Sequence, residues 1–322
     1  MTLFGVVDAN FAYGSGSVYN KTSLKNSGYN SSRLGFRGVE DLGGGLAASF
    51  WLEGALSNDD GGTALNFQRR STVSLNGGFG EIRLGRDYTP QFFNLTVFDP
   101  FGTNGVGTTQ TLNGVYSTAA GAPEYSLQRP VVRQSNSIGY FLPGNLGGFY
   151  GQVQLGLGEQ PSNAPNKKTG NELAARVGYA NGPINVALAF SDTKLASGSV
   201  KTLNLGGQYD LGVAKIMGHY AQDNISGPNN DGRGLLIGAL VPVGAGEVRL
   251  AYSTYKIDTA GADPRSNKLA LGYVHNLSKR TALYATYAHV NNKNGANSSL
   301  NDSSTAAGRN SNGYDIGIKH SF

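Results

Sequence analysis

Apolar and polar side chains alternate one for one through most of this chain, in runs of about ten residues separated by Gly-, Pro- or Asn-bearing breaks. A period of two places successive side chains on opposite faces of an extended backbone, so each run reads as a strand with one apolar and one polar face. Sixteen strands are predicted: Thr2–Ala12, Ser32–Asp41, Leu46–Leu56, Phe67–Asn76, Glu81–Asp87, Ser135–Phe141, Phe149–Leu155, Asn171–Ala180, Ile184–Asp192, Val200–Tyr209, Val213–Ala221, Arg233–Val241, Glu247–Ile257, Ser266–Asn276, Arg280–Val290 and Gly313–Phe322. The breaks alternate in length. Short Gly- or Pro-bearing turns fall at 42–45, 77–80, 143–147, 181–183, 210–212 and 242–246, with a polar one at 277–279. Long polar connections separate the other pairs, most clearly Tyr13–Ser31 and Asn291–Asn312. Short turns and termini on one rim, with long loops on the other, is the wiring of an even-stranded antiparallel barrel that spans a membrane. No break in composition interrupts the pattern, so residues 1–322 are expected to form one domain.

The alternation also assigns faces. Ile184, Val186, Leu188 and Phe190, then Leu203, Leu205 and Tyr209, then Val248, Leu250 and Tyr252 point one way; Asn185, Ser191, Thr202, Asn204, Gln208, Glu247 and Arg249 point the other. In a sixteen-stranded barrel the bore is too wide for side chains to fill, so a polar inner face holds water and the apolar face meets lipid. A ten-residue strand tilted by about 45° rises about 23 Å, close to the apolar band of such a membrane. The last ten residues alternate up to a terminal phenylalanine, with Tyr314, Ile316, Ile318 and Phe322 on the outer face, as expected of a closing strand that serves in barrel closure and assembly.

Composition narrows the alternatives. The chain has 48 Gly, 17 Tyr and no Cys, with 15% charged residues. That usage suits turns and an aromatic girdle, and it removes disulfides, Cys-ligated metal and thiol nucleophiles. No run of about 18 apolar residues offers a transmembrane helix. The first residues lack a basic region followed by an apolar one, so the chain reads as a mature exported protein without its signal peptide. A net charge of +5 without a basic run argues against nucleic acid. The four histidines, His219, His275, His289 and His320, sit singly on strands away from carboxylate partners at triad or metal spacing, so no enzyme, cofactor or metal site is expected. Gly102, Gly105 and Gly107 cluster within a loop and lack the strand–turn–helix setting of a nucleotide site.

One connection breaks the pattern. Residues 88–134 carry several Gly and Pro together with Tyr88, Phe92, Phe93, Phe98, Phe101, Tyr116 and Tyr125, and a loop so long and aromatic is expected to fold inward and narrow the bore. Three stretches then carry a resemblance: Ser32–Gly45 (S-R-L-G-F-R-G-V-E-D-L-G-G-G), Arg69–Leu75 (R-R-S-T-V-S-L) and Gly272–Tyr284 (G-Y-V-H-N-L-S-K-R-T-A-L-Y) are similar to the trimeric general porins of β-proteobacteria. The resemblance spans the chain. It implies a sixteen-stranded homotrimer in the outer membrane of a Gram-negative bacterium, a third loop in each pore, and passive diffusion of small hydrophilic solutes. It further implies an anion preference set by arginines at the constriction. Outer-membrane lipids and lipopolysaccharide, the barrel assembly machinery, periplasmic chaperones and small anionic solutes are the implied partners.

Strand parity agrees in sign. It turns Arg33, Arg37, Arg83, Arg133, Arg176, Lys215, Arg249, Lys268 and Lys319 inward, against Asp8, Glu53, Glu81, Glu172, Glu247 and Asp315. At the fourth strand parity favours Arg70, while position within the resemblance also allows Arg69. The expected constriction group is therefore Arg33, Arg37, Arg69 or Arg70, and Arg133, flanking the long loop. Two other readings remain at this stage: a channel specific for small carboxylates or phosphate, and a non-conducting structural or adhesive barrel. On the outer face Leu3, Val7, Phe11, Leu34, Phe36, Phe50, Leu52 and Phe322 are expected to form one apolar wall for contact between copies.

Overall fold

A computed structural model describes residues 1–322 apart from 63, 113–131, 227–230 and 260. Its strands are β1 (Thr2–Ser15), β2 (Lys21–Asn26), β3 (Arg33–Gly43), β4 (Leu46–Ala55), β5 (Arg70–Gly77), β6 (Gly80–Tyr88), β7 (Arg133–Phe141), β8 (Phe149–Gly156) and β9 (Glu172–Asn181), followed by β10 (Ile184–Leu195), β11 (Gly198–Asp210), β12 (Lys215–Ile225), β13 (Gly232–Val243), β14 (Gly246–Ile257), β15 (Arg265–Asn276), β16 (Thr281–Lys293) and β17 (Ser311–Ser321). A helix, α1 (Pro90–Val97), lies between β6 and β7. Neighbours in sequence pair antiparallel except β2 and β3, which both pair with β1, and β1 pairs with β17 from Val6↔Ser321 to Ser15↔Asn312, so the sheet closes. Phe322 completes the seam: its N–H donates to the Gly5 carbonyl and the Gly5 N–H to its own, both at 3.1 Å. Its ring fills the space a side chain on Gly5 would occupy.

Each predicted strand lies on an observed one, but the expected long loop Tyr13–Ser31 is largely not a loop. β1 continues to Ser15, residues 16–20 turn, and β2 pairs back along the upper part of β1 from Gly14↔Lys21 to Ala9↔Asn26. The chain then leaves the sheet over 27–32 and rejoins it as β3, paired to the lower part of β1 from Val6↔Arg33 to Thr2↔Arg37. Seventeen segments thus form a closed barrel of sixteen strands, one of them interrupted. The alternation missed β2 because Lys21-Thr22-Ser23-Leu24-Lys25-Asn26 is polar on both faces apart from Leu24. A second expected long connection is also a tight turn, since β10 and β11 pair out to Leu195↔Gly198. At the opposite rim Gly43, Gly44 and Gly45 take φ of +80°, +62° and +82°, a left-handed run that only glycine adopts without strain.

The outer face is apolar and exposed, for example Leu188, Leu205, Leu250, Leu271 and Ile316. The main apolar cluster lies inside the bore. Phe101 and Val106 from the long loop, with Leu300 from the connection after β16, pack on Ala251, Ala270, Ala288 and Val290 of the wall.

That packing requires a wall cleared of side chains. A Cβ on Gly206 would stand 1.9 Å from the Phe98 ring, on Gly238 2.5 Å from Pro100, on Gly234 2.2 Å from Thr111, and on Gly272 3.0 Å from Phe101. These glycines on β11, β13 and β15 are the bed on which the loop lies. Thr89 caps α1 by accepting from the Phe92 N–H at 3.3 Å, and Pro90 suits the first helical turn. The helix packs against β8 to β11. There the Asn94 amide donates to the Ala187 carbonyl (2.9 Å) and to Asn204 Oδ1 (3.0 Å), and Asn204 donates to the Gln91 carbonyl (3.0 Å). Farther along, the Asp99 carboxylate accepts from the N–H groups of Phe101 (2.9 Å), Thr103 (3.2 Å) and Thr109 (2.9 Å), tying the turn that redirects the loop. Asp315 of β17 accepts from the Val106 N–H at 2.8 Å, and Lys268 of β15 donates to the Val106 carbonyl at 3.3 Å. The expected inward fold of 88–134 is therefore observed over 88–112, while 113–131 lies outside the described residues.

Candidate functional site

The bore narrows between the long loop and the wall formed by β3 to β7. A cavity of about 550 Å³ remains there, bordered by Arg33, Glu53, Arg69, Tyr88, Arg133 and Arg249, by Phe92, Phe93, Thr96 and Phe101–Asn104 of the loop, and by Tyr29, Asn30 and Ser31. The last three belong to the 27–32 excursion. That excursion is held inward by Asp8, which is fully buried and accepts from the N–H groups of Tyr29 (2.9 Å) and Asn30 (2.6 Å) and from the Tyr284 hydroxyl. Ser31 Oγ donates to Asn104 Oδ1 at 2.8 Å, joining the excursion to the loop across the opening.

Four guanidiniums face one carboxylate here, and most of their partners are neutral. Arg133 lies over the Tyr88 ring, 4.5 Å from its centroid, and donates to the Tyr88 hydroxyl at 3.0 Å. Arg249 lies over the Tyr29 ring at 4.5 Å and reaches its hydroxyl at 3.2 Å, with Glu247 at 3.0 Å behind it. Arg33 donates to Asn30 Oδ1 and to the Ser31 carbonyl, both at 2.8 Å. Arg69 is shared between Glu53 (2.6 Å) and the Tyr88 hydroxyl (2.9 Å). Aromatic faces and neutral oxygens fix a guanidinium without cancelling its charge. A low-dielectric wall then concentrates the remaining positive field across the opening.

A second tier lies toward the turn rim and is electrically different. Arg83 is bound by Glu81 at 2.8 Å and by Asp87, and its guanidinium lies 3.9 Å from the Phe141 ring centroid. Arg70 donates to Thr72 (3.1 Å), approaches Asp87 (3.7 Å) and covers one ring of Trp51 at 4.5 Å; Arg37 lies 5.1 Å from the same indole. Trp51 in turn donates to Glu53 Oε2 at 3.2 Å. Glu81 and Asp87 both bind Arg83, and Asp87 is shared with Arg70, so the three guanidiniums of this tier are matched by two carboxylates.

Of the expected constriction group, Arg33, Arg69 and Arg133 come together at the opening, whereas Arg37 and Arg70 lie below it. Both Arg69 and Arg70 point inward. Arg69 precedes the regular part of β5, where parity has no hold, and its N–H bonds to the Glu53 carbonyl at 3.0 Å. Arg249, expected only as a further lumen charge, joins the opening. Arg176 lies across the bore, over Tyr150 at 4.7 Å and bound to Asn94 of α1. Lys319 stands 6.0 Å from the Tyr29 ring, and Lys215 begins β12 opposite Leu240. Asp8, Lys268 and Asp315 do point inward, but the excursion and the long loop cover them, so they anchor those segments and do not line an open bore. Sequence reasoning missed Tyr29, Asn30 and Ser31; the turn-forming run Asn26-Ser27-Gly28, with Ser27 at φ +68°, was the available sign of a break inside a strand.

Comparison with known proteins agrees with this architecture. The sequence pattern described as Gram-negative porin matches residues 1–295. Outer membrane porin protein 32 of Delftia acidovorans is 38% identical over 338 aligned positions, covering 100% of this chain and 94% of that protein. The solved anion-selective porin from Comamonas acidovorans superposes with a TM-score of 0.88 at 38% identity, covering 100% of this chain and 99% of that one. The trimer form of OmpT from Vibrio cholerae shares the fold at a TM-score of 0.70 and 14% identity, covering 100% and 98% of the respective chains.

Proposed function

Because the chain belongs to the Gram-negative porins, we propose that its channel, an outer-membrane pore for passive diffusion, favours small anions through Arg33, Arg69, Arg133 and Arg249. The observation that carries this reading is the partner chemistry of the opening: four guanidiniums, one carboxylate lining the same space, and aromatic or amide groups doing most of the orienting. The anion-selective character of the Comamonas acidovorans porin supports the same sign. A ring of like charge in a narrow pore enriches counter-ions, and the enrichment fades as salt shortens the Debye length to about 3 Å at 1 M. Porins are channels, and no catalytic step forms part of this reading.

The assembly we propose is a homotrimer. Leu3, Val7, Phe11 and Phe50 on the outer face, with Phe322 at the seam, are exposed and contiguous with Leu34, Phe36 and Leu52 on the neighbouring strands. In a cyclic trimer one part of such a wall would meet another part on the next copy around the threefold axis. The single experiment that tests the selectivity is the reversal potential of one reconstituted channel across a KCl gradient at low salt. An anion-over-cation permeability ratio near one would overturn it.

A further inference from the structure

Helix α1 turns polar side chains to the wall and aromatic ones to the water. Gln91 and Asn94 are buried against the strands, where Gln91 Nε2 donates to Glu172 Oε1 at 2.9 Å and the Asn94 amide takes the partners described above. Phe92 and Phe93 instead border the opening, together with Tyr88. Phe92 stacks on the Tyr88 ring with centroids 5.2 Å apart and planes at 18°, and Phe93 meets the same ring edge-on at 5.6 Å and 67°. Phe92 is covered by this stack, whereas Phe93 and Tyr88 stay half-buried, with part of each ring left to the opening. Apolar surface kept in water costs about 25 cal/mol per Å². A segment that had merely to narrow the bore would show the water its polar side, and the passage of inorganic ions makes no use of these rings.

The neighbouring cation is held in a way that leaves it free to take a carboxylate. A guanidinium has two flat faces and a rim of five N–H donors. Tyr88 covers one face of Arg133, and the bond to the Tyr88 hydroxyl at 3.0 Å is the one hydrogen bond of that guanidinium among the described residues. Donors along such a rim match the two oxygens of a carboxylate. Arg133 and Phe93 both pack on Tyr88, so a carboxylate site and an aromatic surface flank one side chain. The cavity they share, about 550 Å³, falls within the range of small-molecule sites, about 300–1,000 Å³. The pairing recurs below the opening. Arg70 lies over Trp51, which Phe4 meets edge-on at 4.9 Å, and across the bore Arg176 lies over Tyr150. A solute that carries a ring beside its charge therefore finds both kinds of surface again as it moves on.

We propose that the opening binds aromatic monocarboxylates, with the carboxylate on Arg133 and the ring against Phe93, and holds them more tightly than aliphatic carboxylates of the same charge. The proposal rests on the anion-preferring reading of the same opening. The test records the chloride current of single reconstituted channels while benzoate or cyclohexanecarboxylate is added; the two have equal charge and similar bulk, and the second lacks an aromatic face. In the wild type the half-blocking concentration of benzoate is expected at least about threefold below that of cyclohexanecarboxylate. F93L, which keeps an apolar side chain and removes the ring, is expected to bring the two acids within about twofold of each other. Equal block by the two acids in the wild type, including none by either, or a preference unchanged in F93L, would overturn the proposal. The comparison of the two acids on wild-type channels needs no variant, so it decides alone if F93L does not fold. The KCl reversal potential of the same wild-type channels tests the anion reading separately: anion preference without discrimination between the two acids sinks this proposal and leaves that reading standing.

Discussion

At the scale of single residues, what separates the two tiers of arginine is the company each keeps. Amides, a phenol and an aromatic face orient Arg33, Arg69 and Arg133 around one glutamate, Glu53, which Arg69 (2.6 Å) and Arg33 (3.8 Å) share. Arg83 is enclosed by Glu81 and Asp87. R33Q/R69Q/R133Q is therefore expected to lower the anion-to-cation permeability ratio severalfold at 0.1 M salt, with a smaller change at 1 M. R70Q and R83Q are expected to leave the ratio near its wild-type value; reversal potentials for the three variants decide whether the upper tier carries the selectivity. Much of the upper tier was legible from alternation, since Arg33 and Arg133 fall on the inner parity of well-formed strands. Arg69 was ambiguous for a physical reason: parity describes regular strands, and β5 becomes regular only at Arg70.

At the scale of elements, the opening depends on two segments held against the wall, and each has a weak point. Replacing Asp8 with Ala removes the acceptor for Tyr29 N–H, Asn30 N–H and the Tyr284 hydroxyl. Leaving buried donors without partners costs about 1–3 kcal/mol each, so the 27–32 excursion is expected to detach from the wall in D8A. Single-channel records should then show a conductance that fluctuates between levels; a steady wild-type conductance would mean the excursion is held by other contacts. The second weak point is the glycine bed. G206V would force its side chain into Phe98, an overpacking worth about 1–3 kcal/mol, and is expected to displace α1 and raise conductance while the barrel persists. The strands were legible because lipid on one side and water on the other impose a strict period of two. The excursion and the bed were not, because glycine reads as a turn former whether it ends a strand or clears a path for another segment. Phe98 and Gly206 are 108 positions apart, and only the folded barrel brings them together.

At the scale of the whole molecule, closure and association meet on one side of the barrel. Deleting Phe322 removes two seam hydrogen bonds and the ring covering Gly5, and is expected to reduce the folded, heat-modifiable fraction recovered from membranes by more than half. Wild-type recovery of that truncation would show that β1 and β17 close without it. The proposed trimer is checked by unheated gel mobility in mild detergent, where a trimer-sized band that becomes a monomer on boiling is expected. The stacked indole of the second tier has a consequence of another kind. Trp51 is the only tryptophan in the chain, and it lies inside the bore between Arg37 and Arg70, next to the opening. Its emission is therefore an optical probe of the channel interior that needs no label. Iodide and caesium, collisional quenchers of opposite charge, should darken it unequally: iodide strongly, caesium weakly, with the gap narrowing when the upper arginines are replaced. The protein thus carries its own light meter for the sign of the ions in its pore.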